Sequence, residues 1–221
     1  MSDADQASLI RRIASVVGHE LRNPMAVINN SAYFVRAKLG QTGLDPKVEK
    51  HLKIIESEIA RADGLIGDML TFSRAYEPQL ETKPFDAEIK AAVDAYRAPE
   101  GGKVELKLGA KGAEVRFEAK ALAASVKRLL DNAFSAQEDK GTVKAATGTD
   151  KSGVFLTVTD TGPGVDAKVK DTLFEPFVTT KPRGLGLGLS LTRKLLGAVG
   201  GEVSFQSGPK GSTFKISLPK A

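Results

Sequence analysis

The chain has 221 residues, 41% of them hydrophobic, and its 32 Lys and Arg against 27 Asp and Glu give a formal charge of +5. That length and apolar content fit one or two folded domains rather than a disordered chain. Zero cysteine excludes disulfides, thiolate metal sites and a cysteine nucleophile, and two histidines leave little for a histidine-built metal centre. No apolar run approaches the roughly 20 residues that a membrane helix needs, and residues 1–10 show no secretory pattern, so the chain reads as cytoplasmic. Its basic residues are scattered among acidic ones without interleaved aromatics, which argues against nucleic acid as a partner.

In chain order, residues 8–76 predict a long helical hairpin. Val48, Leu52, Ile55, Ile59, Ala62, Ile66, Met69, Ser73 and Tyr76 alternate steps of four and three, the seam of a coiled coil or bundle. The first arm repeats the seam less cleanly through Ile10, Ala14, Val17, Leu21, Pro24, Ile28, Ser31 and Val35. Between the arms, LGQTGLDP supplies glycines to stop one helix, then Asp45 as N-cap and Pro46 at the first position of the next. Two such helices cannot bury both apolar faces against each other, so the expectation is a homodimer forming an antiparallel four-helix bundle. By spacing, His19 stands about 200° around the helix from both Val17 and Leu21, facing away from their seam. Pro24 removes a helical hydrogen bond and should bend the helix just beyond.

The stretch YEPQLETKPFD, residues 76–86, breaks the heptads with two prolines. It sets the expected organisation: a helical domain at 1–76, a linker at 77–85 and a second domain at 86–221. In the second domain, short alternating runs at 104–108, 114–118, 154–160, 202–207 and 212–218 predict strands, and helical patterns fall at about 86–97, 119–137 and 187–199. Strands interleaved with amphipathic helices imply an α/β sandwich, making the whole chain α+β.

Three motifs in this domain describe a nucleotide pocket. In VFLTVTD, alternation puts Asp160 in phase with Val154, Leu156 and Val158, aiming a carboxylate inward. A buried carboxylate needs a donor. The exocyclic amine of adenine and the turn TGPG, which Asp160 would cap, are the two candidates. Gly162 and Gly164 allow close backbone approach to a ligand. In GLGLGLSLTRKLL, Gly184, Gly186 and Gly188 stand at the mouth of a helix whose free amides favour phosphates. The spacing fits neither a P-loop nor a GxGxxG turn. Asn132 lies in a helix whose core face is Leu122, Val126, Leu129, Ala133 and Phe134. Thr179, Thr180, Lys181, Pro182 and Arg183 form a short lid in which Lys181 can meet a phosphate as a point charge. Phe174 and Phe177 read as the lid's anchors.

Taken together, DTGPGV at 160–165, LFEPFVTTK at 173–181, GLGLGLS at 184–190, LLDNA at 129–133 and GHELRNP at 18–24 resemble the transmitter core of a sensor histidine kinase with a Bergerat-type ATP domain. The resemblance spans about residues 8–220. It implies that His19 is the phosphoacceptor, that Glu20 takes the imidazole proton, and that Asn23 positions water for dephosphorylating a partner. It further implies ATP as cofactor, Asn132 on a magnesium ion bridging its phosphates, and a response regulator's receiver domain as partner. An upstream sensor, absent from this chain, and membrane anchoring of a longer protein also fit.

Two positions depart from that pattern. Family members usually carry an asparagine at the place of Arg128 and often a base at that of Ser135. Arg128 either adds charge at the phosphates or blocks metal binding. The second outcome would leave a weak kinase or a scaffold without turnover. A gyrase- or chaperone-type ATPase would need a glutamate at 128 to activate water, and arginine cannot act as that base. The wording NPMAVINN and FEPFVTTKPRGLGLGL looks closest to the nitrogen-regulator branch.

Overall fold

The computed structural model describes residues 3–40, 43, 45–181 and 184–220, with the side chains of residues 3–16 and of His19 outside that description. Contacts divide the chain into two units, residues 1–75 and 76–221.

The first unit is a hairpin of α1 (Asp3–Leu39) and α2 (Pro46–Ser73). Asp45 caps α2 as expected, its carboxylate accepting the Lys47 N–H at 2.7 Å, with Pro46 at the helix start. α1 runs on through Pro24 without a break. Arg22 Nε bonds Asp63 Oδ1 at 2.7 Å and Arg36 Nη2 bonds Glu56 Oε2 at 2.8 Å, a pairing that requires antiparallel arms. Exposed or half-exposed pairs of this kind contribute at most about 1 kcal/mol each, so they set register more than stability.

The inner seam differs from the expected one. On α1 it runs through Gly18, Met25 and Ala32, seven residues apart, while Val17, Leu21, Ile28 and Val35 are exposed. On α2 the buried residues are Leu52, Ile66 and Leu70, whereas Val48 and Ile55 are exposed. A small residue lets the arms approach: a Cβ at Gly18 would stand 3.1 Å from both the Ile66 and Leu70 side chains. Bulky apolar residues mark a seam in a sequence scan, but here the close contact uses glycine and alanine and leaves the bulky stripe outside. Ile10 and Ala14 of the expected seam lie outside the described side chains. Tyr76 does not continue α2 and belongs to the second unit.

The second unit contains β1 (Glu81–Pro84), α3 (Phe85–Asp94), β2 (Gly102–Lys107), β3 (Glu114–Phe117), α4 (Ala119–Ala136), β4 (Gly141–Asp150), β5 (Gly153–Thr159), α5 (Gly188–Gly197), β6 (Glu202–Gly208) and β7 (Gly211–Leu218). Five strands form one sheet in the order β2-β4-β5-β7-β6, parallel only between β2 and β4, and β1 pairs with β3 in a separate antiparallel ribbon. Helices cover one face, where Val154, Leu156 and Val158 of β5 and Ile216 of β7 are buried in one core with Leu129 and Leu130 of α4. Phe155 and Thr157 on the other face are only half-buried. This is the sheet-and-helix layer expected from the alternation of elements.

Two strands escaped the sequence reading. β4 presents Val143, Ala145 and Thr147 inward, small groups that signal a strand weakly, yet it lies second in the sheet with a partner on each side. β1 falls inside the expected linker. Its pairing with β3, the Phe85 N–H bonded to the Ala113 carbonyl at 3.0 Å, and the Tyr76 hydroxyl donating to Glu118 Oε2 at 2.7 Å fasten most of residues 76–85 to the second unit.

Candidate active site

Asp160 follows β5 and is 3% exposed. Its Oδ1 accepts the backbone N–H of Gly162 at 2.9 Å and of Ser212 at 3.1 Å. The carboxylate therefore does cap the turn, and both of those bonds fall on one oxygen. The turn itself is pressed against the end of α4: a Cβ at Gly162 would stand 2.6 Å from the Ala136 carbonyl oxygen. Gln137, just past α4, fixes the same turn by accepting the Thr161 N–H at 2.7 Å. Gly164 takes φ +86 against the Gly208 carbonyl.

One turn earlier on α4, half-buried Asn132 accepts a hydrogen bond from Lys181 Nζ at 2.8 Å. Lys181 is exposed as a residue, but its tip reaches inward, and burial lowers its pKa against the opposing pull of Asp131 and Asp139. Thr179 Oγ1 accepts the Lys181 N–H at 3.0 Å, and Gly184 N–H bonds the Lys181 carbonyl at 3.1 Å. Thr180 between them is exposed, and Pro182 and Arg183 of the expected lid lie outside the described residues.

One further turn back, Arg128 meets the glycine-rich segment: a Cβ at Gly188, the first residue of α5, would stand 3.9 Å from Arg128 Cδ. The N-cap residue of α5, Leu187, makes no side-chain capping bond. Gly186 sits at φ +68, where a Cβ would stand 2.6 Å from the Val178 carbonyl oxygen, so the segment folds tightly on the lid only with glycine there.

Residues 128, 132 and 136 thus form one stripe of α4 at helical spacing, and each meets a different motif: the mouth of α5, the lid and the capped turn. From residue 128 to residue 136 the stripe rises about 12 Å along the helix. This grouping was not visible in the sequence, where the motifs are separated by tens of residues. Gln137 and Ser212 also escaped the sequence reading; neither lies in a recognisable motif, and only the closing of the sheet brings Ser212 to Asp160.

Phe174 behaves as an anchor, its ring 5.8 Å edge-on from Phe205, which stacks on Phe214 of the core. Phe177 is 63% exposed at a left-handed φ of 64, where the chain bends into the lid, and its backbone N–H donates to the Gly186 carbonyl at 3.1 Å. The residues expected at the phosphoacceptor box, His19, Glu20 and Asn23, all lie on α1, Glu20 and Asn23 being exposed and the side chain of His19 outside the described set.

Residues 9–77 match the family described as the His Kinase A (phospho-acceptor) domain, and residues 117–221 match the histidine kinase-, DNA gyrase B-, and HSP90-like ATPases. The chain is a histidine kinase transmitter core. This kinase core is 28% identical over 228 residues to the C4-dicarboxylate transport sensor protein DctB of Rhizobium meliloti, covering 99% of the chain and 36% of that protein. Against sporulation kinase A of Bacillus subtilis it is 27% identical over 225 residues, again covering 36% of the relative. The chain therefore spans a little over a third of the length of these curated relatives. Its fold is shared by full-length ShkA, crystallised with AMPPNP, at a TM-score of 0.76 and 23% identity over 95% of this chain and 46% of that one. The histidine kinase ThkA in complex with the response regulator TrrA matches at a TM-score of 0.66 and 22% identity, over 99% of this chain and 64% of the other. Among the described residues of the kinase core, no helix is long and apolar enough to cross a membrane.

Proposed function

We propose that this kinase core binds ATP along the α4 stripe, phosphorylates His19 and hands the phosphoryl group to an aspartate of a response regulator. The observation that carries the reading is the convergence of three motifs on residues 128, 132 and 136. Asp160 Oδ2, left over from the turn cap, is the acceptor for the adenine amine. Lys181, Gly184, Gly186 and the amides from Gly188 onward then face the phosphates, with Thr180 on the exposed lid. The residues fit a nucleotide-borne magnesium ion. Asn132 Oδ1 is a hard oxygen ligand now held by Lys181, and no three His, Asp or Glu come together among the described residues, so most ligands would come from phosphate and water. Such an ion supplies charge neutralisation at the phosphates.

On the helical hairpin, the ring nitrogen of His19 attacks the γ-phosphorus as its bond to the bridging oxygen breaks and ADP leaves. Glu20 accepts the proton released from the other ring nitrogen. A neutral imidazole is the nucleophilic form of such a side chain. Asn23, one turn on, holds the water that hydrolyses the regulator's phospho-aspartate, releasing inorganic phosphate. The exposed stripe of Val17, Leu21, Ile28, Val35, Val48 and Ile55 supports a homodimer, since it would otherwise leave a large apolar face in water. The ThkA–TrrA complex supports a receiver domain as partner. The length of the relatives supports a longer protein with a sensor, anchored or not; the wording NPMAVINN and FEPFVTTKPRGLGLGL supports the nitrogen-regulator branch. The test is incubation with γ-labelled ATP followed by addition of a receiver domain. Label should appear first on this chain and then move to the receiver; label that never leaves the chain would defeat the transfer step.

A further inference from the structure

We propose that Arg128 performs part of the charge neutralisation ordinarily left to the divalent cation, so that nucleotide binding by this kinase depends only weakly on that cation. The inference rests on the nucleotide reading above and deepens it.

The order of residues along the α4 stripe sets the direction of the nucleotide. With the adenine end fixed by Asp160 near residue 136, the phosphates extend back past Asn132 and Lys181 toward residue 128. There the half-buried side chain of Arg128 lies against Gly188, the first residue of α5, whose N-cap residue Leu187 makes no side-chain capping bond. A guanidinium at that place has five donors and no acceptor, so it cannot ligate a metal, whereas the asparagine expected there could. It can instead hold two phosphate oxygens at once in a fork, keeping its charge at any working pH. The helix also lacks a cation at exposed Ser135, one turn beyond Asn132. The positive charge expected on this helix is therefore absent from its far side and present at the mouth of α5. Lys181 already bonds Asn132 Oδ1, so a second cation stands on the same stripe before any metal arrives.

The experiment is calorimetric titration of ADP, AMPPNP and adenosine into the wild type, Arg128→Gln and Arg128→Asn, each with magnesium and with EDTA. Glutamine keeps the aliphatic stem and removes the charge. Wild type should bind ADP and AMPPNP in EDTA within about fivefold of its affinity in magnesium, and Arg128→Gln should lose about tenfold or more in EDTA, as expected for one charge-assisted phosphate contact. Arg128→Asn should become strongly magnesium-dependent. Adenosine should bind all three proteins alike, and thermal unfolding should confirm that the variants fold. Wild-type binding that collapses in EDTA as fully as that of Arg128→Gln would overturn the proposal, as would equal losses for adenosine and ADP. Failure of the wild type to bind any nucleotide in either buffer would instead overturn the nucleotide site itself.

Discussion

Replacement of Asp160 by asparagine separates the two duties of its carboxylate. Oδ1 accepts from Gly162 and Ser212 N–H at 2.9 and 3.1 Å, and an asparagine oxygen can keep both bonds. The second oxygen becomes an NH2 group, which faces the adenine amine donor to donor. Losing a hydrogen bond to a charged acceptor costs about 1.5–3 kcal/mol. At 1.4 kcal/mol per factor of ten, that is roughly a 10- to 150-fold rise in Kd. Asp160→Ala adds a different loss, because two buried N–H groups then lack an acceptor at about 1–3 kcal/mol each, and it should lower the melting temperature well beyond the asparagine variant. Calorimetry with AMPPNP and thermal denaturation read the two effects independently. Asp160→Asn binding within twofold of wild type, with the fold intact, would show that Asp160 is only a turn cap.

Gly186→Ala puts a Cβ 2.6 Å from the Val178 carbonyl oxygen at φ +68, where a left-handed alanine alone costs about 1–2 kcal/mol. Nucleotide affinity should fall at least about tenfold by calorimetry, and an unchanged Kd would mean that the tight fold of the glycine segment on the lid is irrelevant to binding. The Tyr76 hydroxyl is held protonated by burial and then by its hydrogen bond to Glu118, which raise its pKa well above the ordinary value. Both states keep the proton below about pH 10, so the contribution is full there; above it the unfolded state ionises first and stability falls. Denaturant titrations from pH 8 to roughly 11 should show that decline blunted in Tyr76→Phe, and parallel curves would rule the linkage out. At pH 8 the same variant should lose about 1 kcal/mol.

Strand alternation exposed Asp160 to the sequence reading because β5 carries Val154, Leu156 and Val158 in strict alternation on the face that Asp160 continues. The same logic fails for β4, whose inward Val143, Ala145 and Thr147 are too small to announce a buried strand. It also fails on α1, where the inner seam uses Gly18 and Ala32 while the bulky stripe faces outward. Proline counting placed a linker at residues 77–85 and gave no sign of the strand within it, since a proline can end an edge strand, and Pro84 closes β1. The site motifs were legible one by one, since glycines beside a helix start and a carboxylate after a strand have local causes. Their meeting on residues 128, 132 and 136 was not, because it depends on contacts across the fold. The left-handed φ of Phe177 was illegible for a related reason: no neighbouring residue type requires it.

The central claim is that His19 receives the γ-phosphoryl group of ATP. Incubation with γ-labelled ATP, followed by acid and alkali treatment of the protein, tests it directly. The account predicts acid-labile, alkali-stable label on the wild type and none on His19→Gln, with AMPPNP still bound by that variant. Label that survives acid, or that persists in His19→Gln, would contradict it.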